Sequence, residues 1–431
     1  MFRTLANFWR VADIRRKILF TLAMLIIFRI GTFIPVPFTD KAAIDFITSQ
    51  QSVFGFINTF GGGALENFSI FAMGIFPYIT ASIIMQLLQM DVVPKFAEWR
   101  KQGEMGRKKI AQVTRYFTIV LAFIQAMAMS IGFNALAGGL LIQNPSFIKF
   151  LVIAITLTAG TAFLMWLGEQ ITAHGVGNGI SIIIFAGIVA AVPTGAIQLF
   201  SQYFVNAGDD LFINAVIVAI IILVAIAVTV GVIYVNQALR KIPIQYAKRL
   251  VNRSPVGGQS THLPIKVNAA GVIPVIFASA FMMAPTTIAG FFEGSSVAGT
   301  IISIFSYTEP VGMVIYALLI IAFTYFYTFV QVNPEQMAEN LQRQSGYVPG
   351  IRPGHNTERY LTRVIQRLTF VGALFLAAVS ILPIILGKIA NLPHAVQIGG
   401  TSLLIVVGVA LTTMRQLEGQ LVKRHYRGFI K

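Results

Sequence analysis

The feature that most constrains this chain is a series of ten apolar blocks, at residues 18–34, 74–90, 117–133, 151–167, 180–200, 211–235, 267–291, 311–330, 368–386 and 398–414. About 20 helical residues cross the hydrocarbon core of a bilayer, and somewhat shorter spans are tolerated. Only 11% of the residues are charged against 56% hydrophobic, whereas a soluble domain carries roughly 25% charge. In lipid the backbone must satisfy its own hydrogen bonds, so apolar blocks of this length fold as helices. The reading is an all-α membrane protein with ten transmembrane helices.

Charge sets the orientation. The chain holds 32 Lys and Arg against 16 Asp and Glu. With the N-terminus in the cytoplasm, 28 of the 32 basic residues fall in 1–17, 91–116, 236–266, 331–367 and 415–431, leaving Lys41, Lys149 and Lys388 outside and Arg29 within the first block. The positive-inside rule then predicts an even number of spans with both termini cytoplasmic. Residues 1–17 before an apolar run mimic a signal peptide, but no small-residue cleavage site follows, and Pro35-Val36-Pro37 ends the run. Residues 1–16 read either as a basic interfacial helix, with Phe2, Leu5, Phe8 and Trp9 toward lipid, or as an ordinary cytoplasmic extension.

The chain divides near residue 205 into two sets of five spans, 1–205 and 206–431. An odd count per half requires that related halves be inverted in the membrane. Residues 74–82 (GIFPYITAS) and 271–279 (GVIPVIFAS) share the pattern G-x-x-P-x-I-x-A-S. Each opens the second span of its half, one entered from outside and the other from inside. Inverted repeats place the functional site at their interface near the midplane, beside interrupted helices. Ahead of the second span, residues 53–73 are apolar yet broken by Gly61-Gly62-Gly63 and Glu66-Asn67. The expectation is a short helix tucked back into the protein from outside, because irregular backbone survives at membrane depth only under protein cover or along a cavity.

Several function classes lose support. None of the 16 acids falls inside the ten blocks, which argues against a carboxylate-coupled transporter. The five histidines are scattered, without metal-ligand spacing, and the absence of cysteine removes disulfides and thiolate sites. Gly175–Gly179 is Gly-rich and opens a helix, but no strand precedes it and no Lys-Ser/Thr follows, so no nucleotide loop is assigned. No catalytic constellation, cofactor site or metal site is predicted. Arg29, the one charge well inside a span, is expected to pair with carbonyls of the broken segments or to reach outward. Gln86, Gln125 and Asn268 lie on the second, third and seventh spans, where they either bond across a helix seam or simply serve packing. The loops 236–266 and 331–367 exceed thirty residues each and are basic. The charge follows from orientation alone, but the length suggests docking of an acidic or RNA-containing partner.

The motifs then resemble a known family. Residues 72–84 (AMGIFPYITASII), 166–172 (WLGEQIT) running on to 177–182 (GNGISI), 259–264 (QSTHLP), 266–274 (KVNAAGVIP), 349–354 (PGIRPG) and 399–405 (GGTSLLI) are similar to those of the SecY family, in order from the second span to the tenth. That resemblance implies two inverted five-helix halves around a central pore in a bacterial cell membrane. Its function would be to pass unfolded secretory polypeptides across the membrane and to release membrane segments laterally into lipid. The resemblance implies a pore ring at Ile75, Ile79, Ile180, Ile184, Ile276 and Ile405, where branched aliphatic side chains exclude water. It implies a plug around Phe60, Gly61, Gly62, Gly63, Ala64, Leu65, Glu66, Asn67, Phe68, Ser69, Ile70 and Phe71. It also implies a lateral gate between spans two and three on one side and seven and eight on the other, which favours the seam role for Gln86, Gln125 and Asn268. SecE-like and SecG-like subunits are the implied membrane partners. The SecA ATPase or the ribosome would dock on the long loops near Lys248, Arg249 and Arg352 and supply the energy.

Overall fold

The computed structural model describes residues 11–40, 58, 61–89, 93–142, 144–205, 211–246, 249–251, 254–256, 260–290, 296–306, 309–389 and 399–427. Each apolar block coincides with a helix. The N-terminal half supplies α1 (Ala12–Gly31), α2 (Phe76–Leu87), the short α3 (Pro94–Lys101), α4 (Glu104–Leu136), α5 (Phe147–His174) and α6 (Gly179–Phe200), which runs into a π-helical turn at Ser201–Val205. The C-terminal half supplies α7 (Leu211–Gln237), α8 (Ile273–Gly290), α9 (Ser296–Phe305), α10 (Pro310–Gln331), α11 (Pro334–Arg343), α12 (His355–Ile389) and α13 (Gly399–Arg427). Among the described residues six helices, α4, α5, α6, α7, α10 and α12, are long and apolar enough to cross a membrane. The four other blocks lie on α1, α2, α8 and α13.

The second block departs from a simple span. Its helix has 12 residues, about 18 Å at 1.5 Å per residue, against a core of about 30 Å. Ahead of it, residues 62–75 are a run of turns and bends carrying one bridge residue; of the stretch 53–73 expected to hold a short helix, Asn58 and Gly61 are helical, while 53–57, 59 and 60 lie outside the described residues. Left-handed backbone at Gly62, Gly63, Phe68 and Gly74 keeps 62–75 irregular, since repeated positive φ cannot propagate a right-handed helix.

The repeated motif gives the same local geometry twice. Gly74 (φ 56°) and Gly271 (φ 67°) are both left-handed, and in each case a helix starts two residues later with proline as its second residue, Pro77 or Pro274. There proline's missing N–H costs nothing, because the first N–H groups of a helix have no partner within it. The prolines therefore start α2 and α8 and do not kink them.

Packing runs α1 on α5, α2 on α4 and α4 on α5 in the first half, and α8 on α10, α10 on α12 and α7 on α13 in the second. The halves touch where α2 meets α8 and where α6 meets α13. Exposed Phe212, Ile213, Leu223 and Tyr234 along α7 show a helix built to face acyl chains or another membrane helix.

The two long basic loops add a small β-structure to this mostly helical fold. Loop 236–266 forms β1 (Leu239–Tyr246), β2 (Arg249–Val251), β3 (Ser254–Val256) and β4 (Ser260–Lys266). β1 and β4 pair antiparallel from Leu239↔Lys266 to Gln245↔Ser260, and β2 pairs with β3. From loop 331–367, β5 (Gly346–Tyr347) adds to the other edge of β1 at Gln245 and Tyr246. Ile242, Ile244 and Ile265 are buried against Ala338 and Leu341 of α11, Val348, and Leu361 and Ile365 of α12. The two loops thus share one small core and stand as a single projection.

Candidate functional site

Branched aliphatic residues on four helices converge at the centre of the molecule. Ile75 at the N-cap of α2, Ile79 in α2, Ile184 in α6, Ile276 in α8 and Ile405 in α13 are buried in one apolar cluster, and Ile180 packs against it. The cluster draws on both halves and also takes in Ile183, Ile188, Phe277, Val409 and Phe28, which the sequence reading did not assign. Their signal was present: Ile183 and Ile188 belong to the uniformly apolar α6, whose mean composition gives no preferred face to single them out.

On this cluster sits the irregular stretch ahead of α2. Ala64, Leu65, Phe68, Ser69 and Phe71 are buried, Ile70 and Asn67 half-buried, and Glu66 exposed. Ala64 and Phe71 belong to the central cluster, whereas Leu65 and Phe68 belong to a second one with Phe133, Leu141, Ile142 and Ile153. Its backbone is well satisfied, as buried irregular chain must be. Phe68 and Ile70 pair with the strand-like segment after α1: Val36 N–H donates to Phe68 O and Ile70 N–H to Ile34 O, each 3.0 Å. Asn58 Nδ2 donates to Glu66 Oε1 (2.7 Å), while the Glu66 N–H donates to Asn58 Oδ1 (3.1 Å). Phe60 lies outside the described residues, as do 53–57 and 59.

Two glycines make the seat for this stretch. The Phe71 ring stacks between Phe28 (6.2 Å) and Phe163 (6.0 Å), and it lies so close to Gly31 that a Cβ there would fall 1.9 Å from a ring carbon. A Cβ on Gly160 of α5 would fall 1.9 Å from the carbonyl oxygen of Ile70. Gly31, Gly160 and Phe163 were not identified from sequence; small residues in apolar helices signal close approach without saying of what. Arg29 donates through Nη1 to the Gly62 carbonyl, and its guanidinium lies 4.7 Å from the centroid of the Phe33 ring.

The centre of this arrangement is thus an aliphatic cluster drawn from both halves with a folded-back segment packed on it, and the comparisons show the family such a chain belongs to. A model of the SecY family matches residues 69–414. A protein translocase subunit SecY of Halalkalibacterium halodurans is 66% identical, over 100% of both chains. The chain belongs to the SecY family. Two solved structures share the fold at low identity. One is of a SecY protein whose plug domain is described as stabilising the closed state (TM-score 0.69, 21% identity, 97% of this chain and 95% of that one). The other is Sec61 in the canine ribosome-channel complex (TM-score 0.65, 19% identity, 97% and 95%).

Within this SecY-family fold, the three residues expected at the gate do not bond to one another. Gln86 Nε2 donates to Ser82 Oγ one turn back on α2 (3.4 Å), and its buried Oε1 has no hydrogen-bond partner. Asn268 Nδ2 donates to Asn236 Oδ1 at the end of α7 and to Gly271 O (both 3.2 Å), and Asn268 Oδ1 accepts from Gly271 N–H (2.9 Å). Gln125 is half-buried on α4. Asn268 thus ties the entrance of α8 to α7 in its own half. The reason is local: left-handed Gly271 turns its N–H back toward Asn268 and closes a polar turn.

The Gly-rich segment before α6 is a helix cap. Asn178 Oδ1 accepts from Ile180 N–H (3.1 Å) and Ser181 N–H (3.4 Å), so the chain itself occupies the anion-binding end of α6. Thr172 and Thr21 hydroxyls accept from Gly179 N–H (2.8 Å) and Val176 N–H (3.1 Å). Of the docking residues, Arg352 is exposed on the turn between β5 and α12 and Arg249 begins β2, while Lys248 lies outside the described residues. Among the described residues no cluster of His, Asp or Glu could hold a metal ion.

Proposed function

We propose that this chain is the pore subunit of a protein-conducting channel, passing unfolded secretory polypeptides outward across the membrane and releasing membrane segments sideways into lipid. The observation that carries the reading is the convergence of six isoleucines from α2, α6, α8 and α13, capped by the segment around residues 61–71. Aliphatic side chains exclude water and ions at rest, and they yield around a passing chain because they hold no hydrogen bonds to lose. The segment 61–71 acts as the plug.

The two halves, 1–205 and 206–431, are inverted repeats. The matched geometry at Gly74–Pro77 and Gly271–Pro274 supports this. The gate is the α2–α8 junction flanked by α4 and α10. SecE-like and SecG-like subunits contact the lipid-facing helices, and the SecA ATPase or the ribosome docks on the cytoplasmic projection through Lys248, Arg249 and Arg352. The solved Sec61 structure, described in a ribosome-channel complex, supports the ribosome as one such partner. Energy comes from that partner, both termini are cytoplasmic, and the protein resides in the bacterial cell membrane.

The chain has no cysteine, so one introduced by Ile276→Cys reports alone. With the complex reconstituted and a secretory chain carrying one cysteine stalled midway, a disulfide at residue 276 is the expected result. Crosslinks confined to lipid-facing positions of α2 and α8 would instead indicate an insertase without a through-pore.

A further inference from the structure

The segment 61–71 is tied down differently at its two ends. Its far end is held by backbone: Phe68 and Ile70 bond to Val36 and Ile34, and Pro35 bridges Ser69. These bonds are made by the main chain, with no side chain as donor or acceptor. At the near end Gly62 rests against the backbone of Gly187 in α6, where a Cβ would come within 3.1 Å of the Gly187 Cα. Two side chains of α1 reach this end: Phe28, whose ring would lie 3.6 Å from a Cβ on Gly62, and Arg29, which makes the polar contact by donating to the Gly62 carbonyl. None of the ion pairs among the described residues includes Arg29. Its charge is half-buried in an apolar helix and lies over the Phe33 ring.

We propose that Arg29 is a positioning residue of the closed channel, a latch whose guanidinium holds the Gly62 end of the plug over the aliphatic ring. This rests on the plug reading given above. The physical case is that a cation within a span is costly unless it is solvated by the protein, and here a plug carbonyl supplies that solvation. Displacing Gly62 strips Arg29 of its acceptor, so the plug leaves only when water or a passing chain offers another. A charge-assisted bond shifts such a two-state balance by roughly tenfold to a hundredfold. The backbone ties at Phe68 and Ile70 make the motion a swing about residues 68–70 and not a loss of the whole segment.

The test uses the full chain with its partner subunits in lipid, an Ala64→Cys reporter and a membrane-impermeant maleimide added from outside. Ala64 is fully buried, so baseline labelling is slow. Adding Arg29→Met is expected to raise the labelling rate by roughly tenfold or more, with Arg29→Lys intermediate, and resting conductance in planar bilayers is expected to rise in the same order. If Arg29→Met does not assemble, Arg29→Gln gives the same comparison without the charge. Labelling and conductance at baseline in an assembled variant, even one that melts earlier, would overturn the latch and leave Arg29 a purely structural residue. Deleting residues 62–66 separates the two readings. Unchanged conductance after deletion sinks the plug reading itself, whereas a leak after deletion but none after Arg29→Met sinks the latch alone.

Discussion

Gly160 on α5 gives the sharpest test of the seat beneath the plug. A Cβ there would lie 1.9 Å from the Ile70 carbonyl oxygen and 3.3 Å from Phe71 Cδ1. The obstruction is backbone, which no rotamer change can relieve. For Gly160→Ala to fit in a densely packed interior, residue 70 must retreat by about 1 Å. That retreat carries the Ile70 N–H away from the Ile34 carbonyl, now 3.0 Å distant, and shears the Phe71–Phe163 stack. Overpacking costs about 1–3 kcal/mol and a lost backbone hydrogen bond about 1 kcal/mol, so the displaced fraction rises by roughly 30- to 1,000-fold. The assay is resting ion conductance of the reconstituted complex, paired with maleimide labelling at Ala64→Cys. Gly299→Ala on α9, where an added Cβ meets nothing within 4 Å, serves as the control. Conductance and labelling of Gly160→Ala equal to that control would refute the seat.

Other consequences follow from the same geometry. Ile276→Ser combined with Ile405→Ser wets the constriction, and resting conductance in planar bilayers should rise; an unchanged seal counts against the ring. Thr21→Val removes the acceptor of the buried Val176 N–H and should cost about 1–3 kcal/mol of stability, read as a lower melting temperature in detergent. Asn268→Ala loses its bonds to Asn236 and Gly271, loosening the start of α8, and the threshold hydrophobicity for lateral insertion of a test segment should fall. Arg352→Glu should block translocation driven by a cytoplasmic partner while leaving resting conductance unchanged.

What could be read from sequence was whatever has a period or an unbroken apolar run. Ten apolar blocks all carry helices, and the irregular course of residues 62–75 was visible as apolar chain too broken to span. The strands of the two long loops escaped because Pro243, Pro255 and Pro264 stand within them, and proline argues against a strand. Alternation of Ile242 and Ile244 was too short to outweigh them, and the core they share with Leu341 and Leu361 comes from a loop ninety or more residues away. The partners of Asn268 were not legible in the sequence for a related reason. Its side chain closes a turn whose shape depends on Gly271 at positive φ, and a residue's place on a span says nothing of that.

The hydrogen bonding around the α2–α8 junction explains how such a molecule can be sealed and yet open. Gln86 bonds back to Ser82 within α2. On the other side Asn268 bonds to Asn236, and Ser279 shares a buried 3.0 Å bond with Tyr316 of α10. These polar groups therefore stiffen each wall and do not stitch the walls together. What they leave between α2 and α8 is apolar packing of the kind Ile75, Ile79, Ile276 and Phe277 provide, and between membrane helices such packing is readily exchanged for contacts with lipid or another apolar helix. Each wall begins with a left-handed glycine and a proline that starts the helix, so each can tilt at its entrance without breaking helical hydrogen bonds. A junction that parts at low cost needs a separate seal, the role proposed above for the segment 61–71 packed on the same aliphatic cluster.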